Sequence, residues 1–290
     1  MNVTFWGVRG SYPVSSPHCT RYGGNTPCIE VTAQDTCIII DAGTGICPLG
    51  HHLVERGVSD IHLLIIHTHW DHIQGFPHFA PLEKSGTRIH RYSLAHADRS
   101  LRQIMQQQQQ TPFFPTPLDE SRAELVFHDL DECERWQLGP FDLLCKRLNH
   151  PSYTGGFRIE CNGKIFAYIS DTDLYGPRLH GEGINEGTDT EREARRIDLQ
   201  KSAGDLAHRA DLMVCDTFFL PDEYKEDWGH SRTIDALQLG REAEVQSIAF
   251  FHHEPHRSDA QLDEIVAHYR AEGGHSSDLF AAAEGAKREL

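Results

Sequence analysis

The apolar residues of this chain fall into short runs separated by glycine, proline and asparagine. Runs of this kind, rich in Val, Ile and Phe, predict β-strands. In the first third of the chain they predict strands at 2–7, 27–33, 36–43 and 61–67. Further along, the same pattern predicts strands at 87–94, 123–127, 141–149, 156–161, 164–169, 211–216 and 246–252.

Other segments repeat apolar residues every three to four positions, which is the period of a helix with one buried face. Leu199, Ala203, Leu206 and Ala210 recur in this way. The pattern predicts helices at 47–57, 98–109, 194–210, 231–243 and 258–272. Strands cluster and helices follow in both halves, so we expect an α/β fold with packed sheets inside and helices outside.

No linker divides the chain, which predicts a single domain over residues 1–290. Two softer segments interrupt the pattern: residues 106–117 contain three prolines, and residues 181–193 are acidic and rich in glycine. We expect both to be loop insertions on the surface, where long loops often border a functional site.

Charge and cysteine usage narrow the range of functions. The 27 Lys and Arg residues face 43 Asp and Glu residues, and the net charge of −16 disfavours long nucleic acids as partners and favours small substrates. The eight cysteines are scattered without a C-x-x-C pair, which indicates buried thiols in a reducing compartment. No apolar run approaches the roughly 20 residues of a membrane span, and no signal peptide is evident, so we expect a cytoplasmic protein that does not enter a membrane.

A dense group of polar residues follows the strand predicted at 61–67. On a chain leaving a strand, His67 and His69 point the same way, and Asp71 and His72 fall at the start of the next helix. Four nitrogen and oxygen ligands so close together suit zinc, manganese or iron(II), and two ligand pairs indicate two ions. The alternative is a histidine-rich surface loop, which a buried strand directly before it disfavours.

The motif HTHWDH in this group resembles the signature of the metallo-β-lactamase superfamily. Its other motifs follow in the family's order, each after a predicted strand: Asp41 in DAGTG, His150 in RLNHP, Asp171 in SDT, and the pair His252 and His253 in FFHHEP. The resemblance spans nearly the whole chain and implies the family's four-layer αββα sandwich, the metallo-β-lactamase fold.

The resemblance also implies a ligand set. One ion would be held by His67, His69 and His150, and the second by Asp71, His72 and His252. Asp171 would bridge the two ions, which would be Zn(II) or Mn(II), with Fe as a further option. Asp41 would hydrogen-bond a ligand and orient its loop. His253 is the alternative last ligand.

A later segment, DWGHSRTIDALQLG, resembles the phosphodiesterase branch of the superfamily, which includes tRNase Z, cyclic-nucleotide phosphodiesterases and the phosphonate-pathway cyclic phosphodiesterase. This implies hydrolysis of a small phosphodiester, cyclic phosphodiesters included, or of a nucleotide by a metal-bridging hydroxide. His230 would stabilise phosphoryl charge or protonate the leaving alkoxide, and Asp71 would help steer the nucleophile's proton. In the simpler interpretation, Ser231 caps the next helix and His230 merely precedes it.

Other interpretations stay open at this stage. Arg9 and Arg21 are candidate phosphate contacts, although Arg9 could equally form a structural ion pair. The same metal site could hydrolyse a lactone or thioester, or the protein could be an iron-loaded redox protein or sensor. The expected partner is a small-molecule phosphodiester, and dimers are common among such relatives, which allows a homodimer.

Overall fold

The structure, a computed structural model, describes residues 1–95, 99–181, 187–272 and 278–290. Its strands form two seven-stranded sheets. The first sheet has the order β14-β1-β2-β3-β4-β5-β6 and the second β13-β12-β11-β10-β9-β8-β7. The strand bounds are β1 Asn2–Gly7, β2 Cys28–Ala33, β3 Thr36–Ile40, β4 Asp60–Leu64, β5 Arg88–Leu94, β6 Glu124–Leu130, β7 Arg135–Leu138, β8 Phe141–Leu148, β9 Thr154–Cys161, β10 Lys164–Ile169, β11 Leu212–Asp216, β12 Ser247–Phe251, β13 Asp278–Ala281 and β14 Lys287–Glu289.

Helices cover the outer face of each sheet. The helix bounds are α1 Ile46–Arg56, α2 Trp70–Ile73, α3 Leu101–Gln108, α4 Asp189–Ala207, α5 Thr233–Glu242 and α6 Asp259–Ala271. Helices α3, α4 and α6 begin at N-cap residues. The side chains of these residues accept a hydrogen bond from a backbone N–H of the first turn, and the residues are Ser100, Thr188 and Ser258.

Three buried apolar clusters hold the layers together. One lies between the sheets and includes Phe5, Leu64 and Phe157. A second lies between the first sheet and its helices, and a third between the second sheet and its helices. Burial of both faces explains why strands such as β3, TCIII, are apolar without alternation. The layers are therefore helix, sheet, sheet and helix, which confirms the predicted α/β sandwich.

The structure differs from the predicted pattern at several element ends. Helix α4 begins at Asp189, so most of the second softer segment that the structure describes is helical, and residues 182–186 lie outside the described residues. Residues 106–108 belong to α3, so the first loop is shorter than predicted. The predicted helix start at residue 98 also lies outside the described residues.

The pattern also missed three short strands. β7, β13 and β14 are three to four residues long, which is too short for hydrophobic periodicity to reveal. They occupy sheet edges, where pairing with a neighbouring strand defines them.

No helix in the described part of the chain combines the length and apolar character that a membrane crossing requires.

The strand directions bring distant chain segments to one edge. β3 and β4 are parallel, and β10, β11 and β12 are parallel in the second sheet. β8 runs the same way as β10 because both are antiparallel to β9 between them. The segments that follow these strands therefore emerge on the same side of each sheet.

Candidate metal centre

The segment after β4 carries four of the candidate ligand residues, which are His67, His69, Asp71 and His72. The chain leaves the sheet at Ile65 and enters the short helix α2, with Asp71 and His72 in its single turn. The backbone N–H of Ala42, after β3, donates to the His72 carbonyl at 2.8 Å. This hydrogen bond fixes α2 against the end of the neighbouring strand.

Two groups of potential ligand atoms meet there. The first contains His67, His69 and His150, and the second Asp71, His72, Asp171 and His252; within each group all the ligand atoms lie within 4.8 Å of one another. In the first group His69 Nδ1 is 3.2 Å from His150 Nε2. The side chains come from four segments that are far apart in the sequence.

Asp171 belongs to the second group, and its carboxylate also faces the first group. Its Oδ2 is 3.9 Å from His67 Nε2 and 4.0 Å from His150 Nε2, and its Oδ1 is 3.3 Å from His72 Nε2 and 3.4 Å from His252 Nε2. Each carboxylate oxygen thus faces one group. Burial alone would raise the pKa of Asp171, but His252, His72 and His67 hold it well below the ordinary value.

Three residues of the site have left-handed backbone conformations. The φ angles are 64° at Asp41, 52° at Asp171 and 58° at His252, and each residue directly follows or nearly follows a strand. Such angles cost about 1–3 kcal/mol each in residues with a side chain, and they concentrate at functional sites. The conformation turns each side chain from the strand direction toward the cluster.

Asp41 organises the site from beneath. Its carboxylate accepts hydrogen bonds from the Ile66 N–H at 3.0 Å, the His72 Nδ1–H at 2.9 Å and the Tyr168 hydroxyl at 2.9 Å. Burial raises the pKa of Asp41, although these donors oppose the shift. The contact fixes the orientation of the His72 ring, so that Nε2 faces Asp71 and Asp171.

The donor set fits divalent cations. Both ring nitrogens of His67 are buried and have no hydrogen-bond partner within the described residues, although buried polar atoms are normally paired. Burial also lowers the pKa of His67 and His150, which favours the neutral imidazole that binds a metal. Imidazole and carboxylate ligands suit Zn, Mn and Fe.

The two neighbouring histidines after β12 have different surroundings. His252 Nε2 is 3.1 Å from Asp71 Oδ2, within the second group. His253 instead donates from Nε2 to the Ala282 carbonyl at 2.8 Å. Burial, followed by Arg9, lowers the pKa of His253 to about 3. The structure therefore brings His252 to the cluster and turns the alternative ligand away from it.

His230 lies beside the cluster and pairs with a residue that the sequence did not single out. Its Nδ1–H donates to Asp216 Oδ2 at 2.8 Å, and its ring stacks on Phe218 with centroids 4.9 Å apart. Burial alone would lower the pKa of His230, but Asp216 and Asp171 raise it to about 9. Asp216 ends the apolar strand β11, the same sequence signal that marks Asp41 and Asp171.

Ser231 does not have the capping role considered for it. Its hydroxyl donates to the Thr172 carbonyl at 2.5 Å, and the residue before α5 is Arg232. The Arg232 N–H is satisfied by Asp235 from within the helix. Ser231 therefore connects the turn that carries His230 to the loop that carries Asp171.

The two arginines considered as phosphate contacts already have partners in the protein. Arg9 is fully buried and donates to the carbonyls of Gly23 and Arg257 at 2.8 and 2.6 Å, which favours its structural interpretation. Arg21 is exposed and forms a bidentate ion pair with Asp263.

The N-terminal loop does reach the cluster through its backbone, since the Ser11 N–H donates to Asp71 Oδ2 at 2.8 Å.

Comparison with known proteins gives a consistent family. The family model described as a beta-lactamase superfamily domain matches residues 36–186, just over half of the chain. A protein named Ribonuclease Z from Haloarcula marismortui is 25% identical over 315 residues, which cover 100% of this chain and 97% of that protein.

Solved structures share the fold at lower sequence identity. The metallo-beta-lactamase fold protein YhfI from Bacillus subtilis has a TM-score of 0.70 and 16% identity, over 100% of this chain and 98% of that chain. The short form of human tRNase Z has a TM-score of 0.65 and 17% identity, over 100% and 99% of the two chains.

Proposed function

Because this chain belongs to the beta-lactamase superfamily domain family and has the metallo-β-lactamase fold, we propose that it is a dinuclear metal-dependent phosphodiesterase. The proposed substrate is a small phosphodiester, cyclic phosphodiesters included, or a nucleotide. The observation that carries the proposal is the pair of ligand groups that share Asp171.

In this proposal His67, His69 and His150 would hold one cation, Asp71, His72 and His252 would hold the second, and Asp171 would be a ligand shared by both. Two divalent cations in such a site supply Lewis acidity and lower the pKa of a bound water. Asp41 keeps the His72 ring in its coordinating orientation. Zn(II) and Mn(II) are the proposed ions, and Fe suits the same ligands.

His230 supplies the step that distinguishes a phosphodiester from other substrates. Asp216 holds its Nδ1–H, so the ring is fixed and its other nitrogen is left for the substrate. From there the protonated ring donates to a phosphoryl oxygen or to the departing alkoxide, which is a poor leaving group without a proton. The buried aspartate supports this role because it stabilises the protonated imidazole.

The net charge of −16 supports a small substrate over a long RNA, which needs a basic docking surface. Similarity to a protein named Ribonuclease Z nevertheless makes RNA a substrate to include in the test. A lactone or thioester is the second candidate for the same ligand groups, but it would leave the His230–Asp216 pair without a leaving-group role.

The test uses protein depleted of metal and reloaded with Zn(II) or Mn(II). We expect hydrolysis of bis(p-nitrophenyl) phosphate and of 2′,3′-cyclic AMP, two bound ions per chain by elemental analysis, and little activity on a lactone panel or a 3′-extended tRNA. Asp171→Ala is the inactive control, with at least one ion lost. High lactonase activity without phosphodiester hydrolysis would overturn the proposal, as would two tightly held irons with reductase activity.

A further inference from the structure

Three aromatic side chains near the cluster are exposed, although large apolar side chains are mostly buried in this protein. Trp70 is 60% exposed, Tyr12 46% and Trp228 45%. They come from three separate segments: α2, the loop after β1, and the loop between β11 and α5. Exposed apolar groups gathered around one site indicate a binding surface.

Trp70 and Tyr12 are each next in the chain to a residue that belongs to the candidate metal centre or donates a hydrogen bond to it. Trp70 lies between His69 and Asp71, and His69 is itself exposed. Tyr12 follows Ser11, whose N–H donates to Asp71 Oδ2 at 2.8 Å. The Tyr12 hydroxyl is 3.1 Å from His256 Nε2, which holds its ring beside the segment that follows His252.

Trp228 approaches the cluster from the other sheet. The next residue, Gly229, accepts a hydrogen bond from His150 Nδ1 at 2.8 Å. The Trp228 ring packs 6.0 Å from the ring of Phe218, which stacks on His230. Lys225 Nζ lies 4.2 Å from the Trp228 ring centroid and adds a positive charge at this position.

The two tryptophans are therefore connected through the first ligand group. Trp70 adjoins His69, Trp228 adjoins the residue that holds His150, and the two histidines are 3.2 Å apart. Each sheet therefore carries an exposed tryptophan next in the chain to a residue that belongs to this group or contacts it.

We propose that Trp70 and Trp228, with Tyr12, form a binding site for a nucleobase of the substrate. The inference rests on the proposed phosphodiesterase function and narrows its substrate class to base-bearing phosphodiesters. A flat aromatic base stacks on exposed aromatic rings without requiring a particular sequence, and the Lys225 ammonium suits a nearby phosphate. The lactone alternative offers no aromatic ring that would use these side chains.

The kinetic test compares 2′,3′-cyclic AMP with the base-free methyl riboside 2′,3′-cyclic phosphate. We expect the wild-type kcat/KM to be at least about 10-fold higher for the base-bearing diester. Trp70→Leu and Trp228→Leu should reduce this ratio several-fold, while Trp70→Phe and Trp228→Phe, which keep an aromatic face, should retain most of it. Ile197→Ala is the control, because Ile197 is an exposed apolar residue on α4 outside the proposed site, and its ratio should not change.

A binding measurement separates this inference from the proposed function. In metal-depleted protein, AMP should quench tryptophan emission, ribose 5-phosphate should not, and Trp70→Leu should weaken the quenching. Quenching without hydrolysis of either diester would overturn the function and leave the base site standing. Hydrolysis of both diesters with equal kcat/KM, or equal loss on both in the leucine variants, would overturn the base site and leave the function standing.

Discussion

Asp216 and His230, which lie 14 residues apart, form a buried hydrogen bond of 2.8 Å beside the candidate metal centre. The Asp216 carboxylate also accepts from the N–H groups of Phe218 and Thr172. It therefore fixes the His230 ring and the loop after Asp171 together. The buried hydrogen bond to Asp216 holds the His230 ring in one orientation, which a solvent-exposed histidine would not keep.

The first prediction follows from this pair. His230→Ala should lower kcat for an alkyl phosphodiester by about 10²–10⁴-fold, the usual contribution of a positioned acid or base. The loss should be much smaller for bis(p-nitrophenyl) phosphate, whose leaving group needs no proton. Kinetics on both substrates measure the difference, and Asp216→Asn should produce the same pattern with a smaller loss.

Metal analysis of the same variants supplies the control. Nδ1 of His230 is 4.0 Å from Asp171 Oδ2, so a ligand role for His230 is the competing explanation. We expect His230→Ala to bind as many ions as the wild type. Loss of an ion would assign His230 to the metal and remove it from proton transfer.

The second prediction concerns the pair of histidines after β12. His252→Ala should lose about one of two bound ions, because Nε2 faces Asp71 and Asp171. His253→Ala should keep its metal but lose about 1–3 kcal/mol of stability, since the buried Ala282 carbonyl loses its donor. Elemental analysis and urea unfolding of the two variants measure both effects, and the reverse pattern would exchange the two assignments.

The sequence could predict the sandwich and the segments that meet at its edge for a physical reason. Each of Asp41, Asp171 and His252 follows an apolar run long enough to be recognised as a strand. Within the second sheet, parallel pairing brings the segments after β10 and β12 to the same edge. Asp41 follows β3 in the first sheet, and the packing of the two sheets brings it to them. The four candidate ligands of HTHWDH can be predicted without knowledge of the strand order, because they lie within six consecutive residues.

Other features depend on contacts that no local pattern contains. Asp216 resembles any aspartate at a strand end until the fold brings His230 to it. Only tertiary packing turns His253 toward Ala282 and encloses Arg9 among backbone carbonyls. Gln108, at the end of α3, is buried and donates from its side-chain amide to the Ile73 carbonyl at 2.6 Å, a contact that the local glutamine run does not reveal.

The third prediction is a pH dependence of stability from histidines away from the metal centre. The rings of His62, His90 and His128 stack in a row across β4, β5 and β6, and the His62 ring is 3.2 Å from the Tyr92 hydroxyl. Burial lowers the pKa of His62; Asp60 opposes this shift, while His90 and His128 add to it. Burial, followed by His90, lowers the pKa of His128.

At His62 and His128 the folded state therefore binds fewer protons than the unfolded chain just below the ordinary histidine pKa of about 6.5, so these two residues should contribute a loss of stability as the pH falls from about 7 to 5. His62→Gln should reduce this loss, whereas His51→Gln, at an exposed position on α1, should not. Urea unfolding with EDTA at both pH values removes the contribution of bound metal. Equal losses in the wild type and His62→Gln would show that the row does not control the dependence.

The fourth prediction concerns Arg91, a fully buried residue of β5 whose three guanidinium nitrogens have no hydrogen-bond partner within the described residues. Its guanidinium carbon lies 3.8 Å from the ring centroid of Phe127 and 4.6 Å from that of Phe76. Burial, with a smaller contribution from Arg102, lowers the pKa of Arg91 to about 9. The two rings offset only part of the cost of burying this charge, because each desolvated cation–π contact contributes about 2 kcal/mol.

Arg91→Met keeps most of the volume and removes the unpaired charge, so its free energy of unfolding should equal that of the wild type or exceed it by up to about 2 kcal/mol. Arg91→Lys should be less stable than either, because it keeps a charge and loses the planar group that stacks on Phe76 and Phe127. Urea unfolding at pH 7 measures all three proteins. A loss of more than about 2 kcal/mol in Arg91→Met would mean that the guanidinium has a polar partner in solution, since only a paired buried charge is that costly to remove.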